Sequence, residues 1–273
     1  MRYWLILVTI LITGCENDGV ADDSMWQICD TYKDICDNTH SGALCSIPRS
    51  EVIRDLARQR EQLSSINTYV ALKTLDAYRS CLEDAFVSEA VRNKDDKQSQ
   101  IITIRKIPEI QKELIASTRA IARPEVNLWL WTNSQNDDNW ESMVNGFETA
   151  KDVHVDVYVA LMTRYAKYNK EQGLEYARQA LKKADVIKDI QPSVYEFYVG
   201  YYLDKNELEK AAIWQGLYSA LDKSKAEVNA HYFKLFEKMS PSQIRVAQSK
   251  VNDLLFDAKW LYKDMDSFPK NLQ

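Results

Sequence analysis

The sequence predicts an all-α protein: an array of antiparallel helix pairs behind a disulfide-stapled N-terminal helical cap. Three observations predict it. Glycine and proline are scarce, 7 and 6 of 273 residues, whereas strand-rich folds need many turns. Apolar residues recur at helical spacing through long stretches. The C-terminal half repeats itself every 34–35 residues, which is how helical arrays show themselves.

The chain opens MRYWLILVTILITGCENDG. Its apolar run from Tyr3 to Gly14 is shorter than the roughly 17–25 residues a spanning helix needs. Arg2, the run and the small residues at its end make a secretory signal. Ile12-Thr13-Gly14-Cys15 resembles the lipobox of bacterial lipoproteins. That resemblance implies cleavage before Cys15 and acylation of its thiol, so residues 1–14 are the signal peptide and 15–24 a lipidated tether. Each buried CH₂ adds about 0.8 kcal/mol, so several acyl chains anchor firmly. It also implies a sorting rule: Asp beside the cysteine favours the inner membrane. The neighbours here are Glu16 and Asn17, which favours the outer membrane.

Residues 25–122 form a cysteine-bearing helical region. An exported chain leaves Cys29, Cys36, Cys45 and Cys81 to pair as disulfides. If Met25–Cys36 is one helix, Cys29 and Cys36 lie about 10.5 Å apart, too far for a bond. That favours Cys36–Cys45 with Cys29–Cys81; the rival is Cys29–Cys45 with Cys36–Cys81. A helix starts at Ser46 or Pro48, with Val52, Ile53, Leu56 and Leu63 on its inner face. A second runs from about Ser65 to Val91, lined by Tyr69, Leu72, Leu75, Leu82 and Phe86. The charged stretch 92–100 reads as a loop, with helix resuming at Pro108.

Residues 123–273 carry the repeats. Pro124, Pro192 and Pro241 sit where helices begin, since a missing N–H costs least there. Met143, Phe147 and Ala150 correspond to Ala177, Leu181 and Ala184, then to Ala212, Gly216 and Ser219, then to Ala247, Val251 and Leu254. Each set is small or apolar at spacings of four and three. The pattern resembles the tetratricopeptide repeat, a helix–turn–helix unit of about 34 residues. Only the third unit keeps Val199-Gly200 followed by Leu203 and Ala212, and the consensus proline is missing. The resemblance implies that the first helix of each pair lines a groove, and it places Thr132, Thr163, Phe197, Tyr201 and His231 toward it. The aromatic helix 194–203 belongs either to that groove, where Tyr is a good binding anchor, or to the core between repeats.

The order of features also resembles a family of marine gammaproteobacterial lipoproteins defined only as a domain of unknown function. Cys29, Cys36, Leu44-Cys45-Ser46-Ile47-Pro48-Arg49, Tyr78-Arg79-Ser80-Cys81-Leu82-Glu83, Pro124-Glu125, Leu128-Trp129-Leu130-Trp131 and Ala211-Ala212-Ile213-Trp214 carry the likeness. It implies export and disulfides, and it supplies no activity.

A formal charge of −5 without a long basic run argues against nucleic acid. His40, His154 and His231 lie in no metal-ligand spacing, and Asp95-Asp96 and Asp137-Asp138 read as helix-flanking acids. No metal or cofactor is expected. These readings describe a non-catalytic, periplasm-facing lipoprotein that holds a protein or peptide partner at the membrane. The alternatives are a peptidoglycan-directed enzyme and a pilot-like assembly factor for an outer-membrane complex.

Overall fold

The computed structural model describes residues 20, 23–39, 43–88, 94–184, 190–221, 235 and 237–256. The expected signal peptide, Cys15, most of the expected tether, His40 and His231 lie outside them. The described residues are mainly helical, without strands, and their twelve helices pack in adjacent pairs. No helix among them is long and apolar enough to cross a membrane. The chain divides into two compact units, residues 1–121 and 122–273.

The first unit holds α1 (Met25–Thr31), α2 (Lys33–Asp37), α3 (Ser46–Glu61), α4 (Ser65–Ser88) and α5 (Lys94–Ser117), with a 3₁₀ turn at Ala43–Cys45 before α3. Val52, Ile53 and Ala57 of α3 meet Leu72, Leu75, Tyr78 and Leu82 of α4 in a fully buried seam. Each such aliphatic side chain contributes roughly 1.5–3 kcal/mol on burial. Leu63, expected on the inner face, falls past the end of α3 and is half exposed.

The disulfides pair Cys29 with Cys36 and Cys45 with Cys81, which corrects both expected pairings. The premise that failed is the single helix. Tyr32 leaves helical geometry at φ −115°, ψ 56°, so α1 ends at Thr31 and α2 starts afresh. The kink brings the Cα atoms of Cys29 and Cys36 to 5.6 Å. Cys45–Cys81 ties the entry of α3 to α4. Arg49 then donates to the Cys36 carbonyl (3.3 Å) and Arg54 to the Asp23 carbonyl (2.9 Å), holding the kinked cap on α3.

A second correction concerns α5. It starts at Lys94, inside the expected loop, and runs through Pro108 rather than from it. Gln100, Thr103, Ile107, Gln111, Leu114 and Thr118 are all buried, a three–four spacing unbroken across the proline. Four of these six are polar, so hydrophobicity alone did not reveal the face.

The second unit is the array. Its pairs are α6 (Pro124–Ser134) with α7 (Asp137–Thr149), α8 (Val155–Tyr165) with α9 (Lys170–Lys182), and α10 (Pro192–Asp204) with α11 (Leu208–Leu221), followed by α12 (Pro241–Phe256). Helices begin at Pro124, Pro192 and Pro241 as expected. The first helices touch in sequence, α6 to α8 and α8 to α10. The repeated small positions lie on the second helices: Met143, Ala177, Leu181, Ala212, Ala247 and Val251 are buried. Gly173 shows why small residues are needed there. A Cβ on it would lie 3.0 Å from the Phe197 ring, so α9 and α10 approach only because it has none.

Candidate functional site

Aligning α6, α8 and α10 at their first residues locates the surface that the array leaves open. The ninth residues are Thr132, Thr163 and Gly200, and all three are exposed. Thr132 and Thr163 donate their hydroxyls to the carbonyls of Leu128 and Val159 one turn back (2.9 and 2.8 Å). Nothing lies within 4 Å of where a Gly200 side chain would begin.

Phe197 and Tyr201, the other two expected groove residues within the described chain, turn elsewhere. Phe197 packs on Gly173 of α9, and Tyr201 is buried. The Tyr201 hydroxyl donates to the Glu171 carboxylate, 3.1 Å from both oxygens, and Lys205 donates to Glu171 at 3.0 Å. The Lys205 ammonium also sits 4.5 Å from the centre of the Tyr201 ring. The Tyr201 hydroxyl and Glu171 hold the Lys205 pKa above the usual lysine range, and Lys205 and Tyr201 hold Glu171 below the usual carboxylate range. Lys170 pairs with Asp204 beside them. This is the joint between the second and third pairs.

The rest of α10 is core. Tyr198 stacks on Trp214 at 4.2 Å and Tyr195 on Tyr218 at 5.6 Å. Burial raises the Tyr195 phenol and pushes Tyr202 up to about 12, the latter helped by Glu207. α10 lies against α8, α9 and α11, so most of its circumference is covered and its exposed residues are Pro192, Glu196, Gly200, Leu203 and Asp204.

The joint between the first and second pairs is built differently. The Arg164 guanidinium lies 5.3 Å from the centre of the Trp140 ring, and Trp131 meets Trp140 edge-on at 4.9 Å. Both tryptophans are half-buried, and Arg164 is exposed next to Thr163. Sequence reading missed this cluster. The signal available was positional: Arg164 and Tyr201 are both tenth residues of first helices.

Carboxylates at the helix starts link the pairs. Glu125, fully buried in the first turn of α6, accepts the His154 backbone N–H at 2.9 Å. His154 caps α8, its Nδ1 accepting from Asp156 N at 3.2 Å, and the Asp156 carboxylate accepts the Gln191 amide at the start of α10. His154 is thus a capping residue.

The first unit has one further feature, a cleft of about 270 Å³ between α2, α3 and α5. Ile35, Leu56, Ile110 and Leu114 provide its apolar lining, with Asp34, Arg60 and Glu113 at its polar side. Arg60 donates twice to Asp34, at 2.8 and 2.5 Å, and holds its pKa below the usual carboxylate range. That suits an ion pair, not a proton donor. Among the described residues no group of three His, Cys, Asp or Glu side chains could hold a metal ion.

The chain belongs to the family described as "Protein of unknown function (DUF2989)", whose model matches residues 12–216. The match takes in both disulfides, Thr132, Thr163, Arg164, Phe197 and Tyr201. No curated protein and no solved structure matches the chain.

Proposed function

We propose that this protein is a non-catalytic scaffold of the bacterial envelope, anchored through lipid on Cys15, that holds an extended segment of a partner protein across the first-helix face of its array. The observation that carries the reading is the row Thr132, Thr163 and Gly200. It recurs, exposed, at one position of three touching helices, while Tyr195, Tyr198, Tyr201 and Tyr202 of α10 are committed to the core. A partner segment crossing successive helices would meet the same small surface at each step, which is how stacked repeats build long binding faces. The disulfides favour an oxidising compartment. The apolar run ending at Cys15 supports the lipid anchor, and Glu16-Asn17 supports the outer membrane.

The test is photocrosslinking in intact envelopes, with benzoylphenylalanine replacing Thr163 or, as a control, exposed Lys182 on α9. The expected result is an adduct at 163 and none at 182. Monomer alone at both positions would count against the scaffold. Fractionation of Cys15→Ala tests the anchor, which predicts loss from the membrane pellet.

A further inference from the structure

Arg164 is held beside a ring and open to solvent. Its guanidinium carbon lies 5.3 Å from the centre of the Trp140 ring, within cation–π range, and the side chain is exposed, so donors of its planar fork stay open to a ligand. Among the described residues no carboxylate pairs with it. At the equivalent place one pair further on, the charge is already answered: Glu171 takes both the Tyr201 hydroxyl and the Lys205 ammonium. The first joint therefore presents a preoriented cation on a half-exposed aromatic shelf, beside Thr132 and Thr163.

We propose that Trp131, Trp140 and Arg164 form the anchor subsite for an acidic peptide segment of the partner. Arg164 binds a carboxylate through its N–H edge, and an apolar or aromatic neighbour in the peptide covers the Trp131–Trp140 shelf. The peptide backbone then continues over Thr132, Thr163 and Gly200, where the absence of a side chain on Gly200 lets it approach closely. Charge complementarity selects the acidic residue, because a planar fork recognises a carboxylate with two parallel hydrogen bonds. The inference rests on the scaffold reading and names the partner's chemistry.

The experiment uses the full chain and a fluorescein-labelled Trp-Glu-Glu-Trp-Glu-Glu peptide, followed by anisotropy at low salt. The Gln-for-Glu peptide and polygalacturonate serve as comparisons. The acidic peptide is expected to bind, and its amide form to bind about tenfold or more weakly, as the loss of a charge-assisted contact implies. Arg164→Gln should lose the same factor. Arg164→Lys should fall between, keeping charge but not the fork. Lys205→Gln should bind as wild type does. Equal binding of acid and amide peptides overturns the proposal, as does undiminished binding by a folded Arg164→Gln. Arg164-dependent binding of polygalacturonate in place of the peptide also overturns it, and reassigns the shelf to an anionic glycan. If the acidic peptide fails while residue 163 still crosslinks a partner, this inference alone falls. If neither binds, the scaffold reading falls with it.

Discussion

The two joints of the array solve one geometric problem in opposite ways. Between the second and third pairs, Tyr201, Glu171, Lys205, Lys170 and Asp204 satisfy one another. Between the first and second, an exposed guanidinium lies 5.3 Å from the centre of the Trp140 ring, and among the described residues no carboxylate pairs with it. The same position in the repeat thus serves cohesion in one place and availability in the other. A fully satisfied polar network rigidifies its surroundings, whereas a stacked, exposed arginine is held ready for a ligand.

The largest expected effect lies in how much each side's tryptophan matters for stability. Trp214→Ala removes the ring under Tyr198 from a fully buried site and should cost about 3–5 kcal/mol. Trp140→Ala at the half-exposed first joint should cost about 1–2 kcal/mol, because less surface is lost from a partly solvated place. Urea unfolding of both variants measures the contrast, and comparable costs would erase it.

Gly173→Ala probes the close approach at the second joint. The new methyl gains about 0.5–1 kcal/mol of helix propensity, but it meets the Phe197 ring at 3.0 and 3.2 Å. Overpacking of that kind typically costs about 1–3 kcal/mol, so a net destabilisation of about 1 kcal/mol is expected. Phe197→Leu in the same chain should recover part of it, because the shorter side chain vacates the contact.

How far the sequence disclosed this arrangement depended on what marks each feature. The helix starts at Pro124, Pro192 and Pro241 were legible because proline is tolerated at a first turn and nowhere better. The small positions of α7, α9, α11 and α12 were legible because close packing repeats with the pairs. The helix break at Tyr32 was not, since no glycine or proline marks it, and the disulfide pairing failed with it. The start of α5 was hidden by its polar buried face. Thr132 and Thr163 were found on the open face. Phe197 and Tyr201 were offset from it, because the register carried over from the repeat pattern falls beside Gly200, the exposed ninth residue of α10. Arg164 carried no motif, and only its partner across the joint gives it meaning.

Tyr201→Phe is the next smaller effect. It deletes the hydroxyl that donates to Glu171 while leaving the ring under Lys205, and it should cost about 0.5–1.5 kcal/mol, the usual net worth of one such hydrogen bond. No comparable loss should follow from Arg164→Gln, which among the described residues breaks no hydrogen bond or ion pair at the first joint.

The smallest effect separates the joints by pH. Glu171 is held below its ordinary pKa of 4.5 by Lys205 first and Tyr201 second. A carboxyl whose folded pKa is lowered binds fewer protons folded than unfolded. Its contribution is therefore fully present above the unfolded value and is lost as pH falls through the folded one. Glu171 is exposed and solvent-screened, so the contribution is small. The stability difference between wild type and Glu171→Gln should hold steady from pH 7 to about 5 and shrink below the ordinary 4.5. Thermal melts across that range measure it. Among the described residues no carboxylate pairs with Arg164, so Arg164→Gln should show no matching change. A pH-dependent gap for Arg164→Gln as large as that for Glu171→Gln would mean the first joint already holds an acid, and the distinction between a closed joint and an open one would collapse.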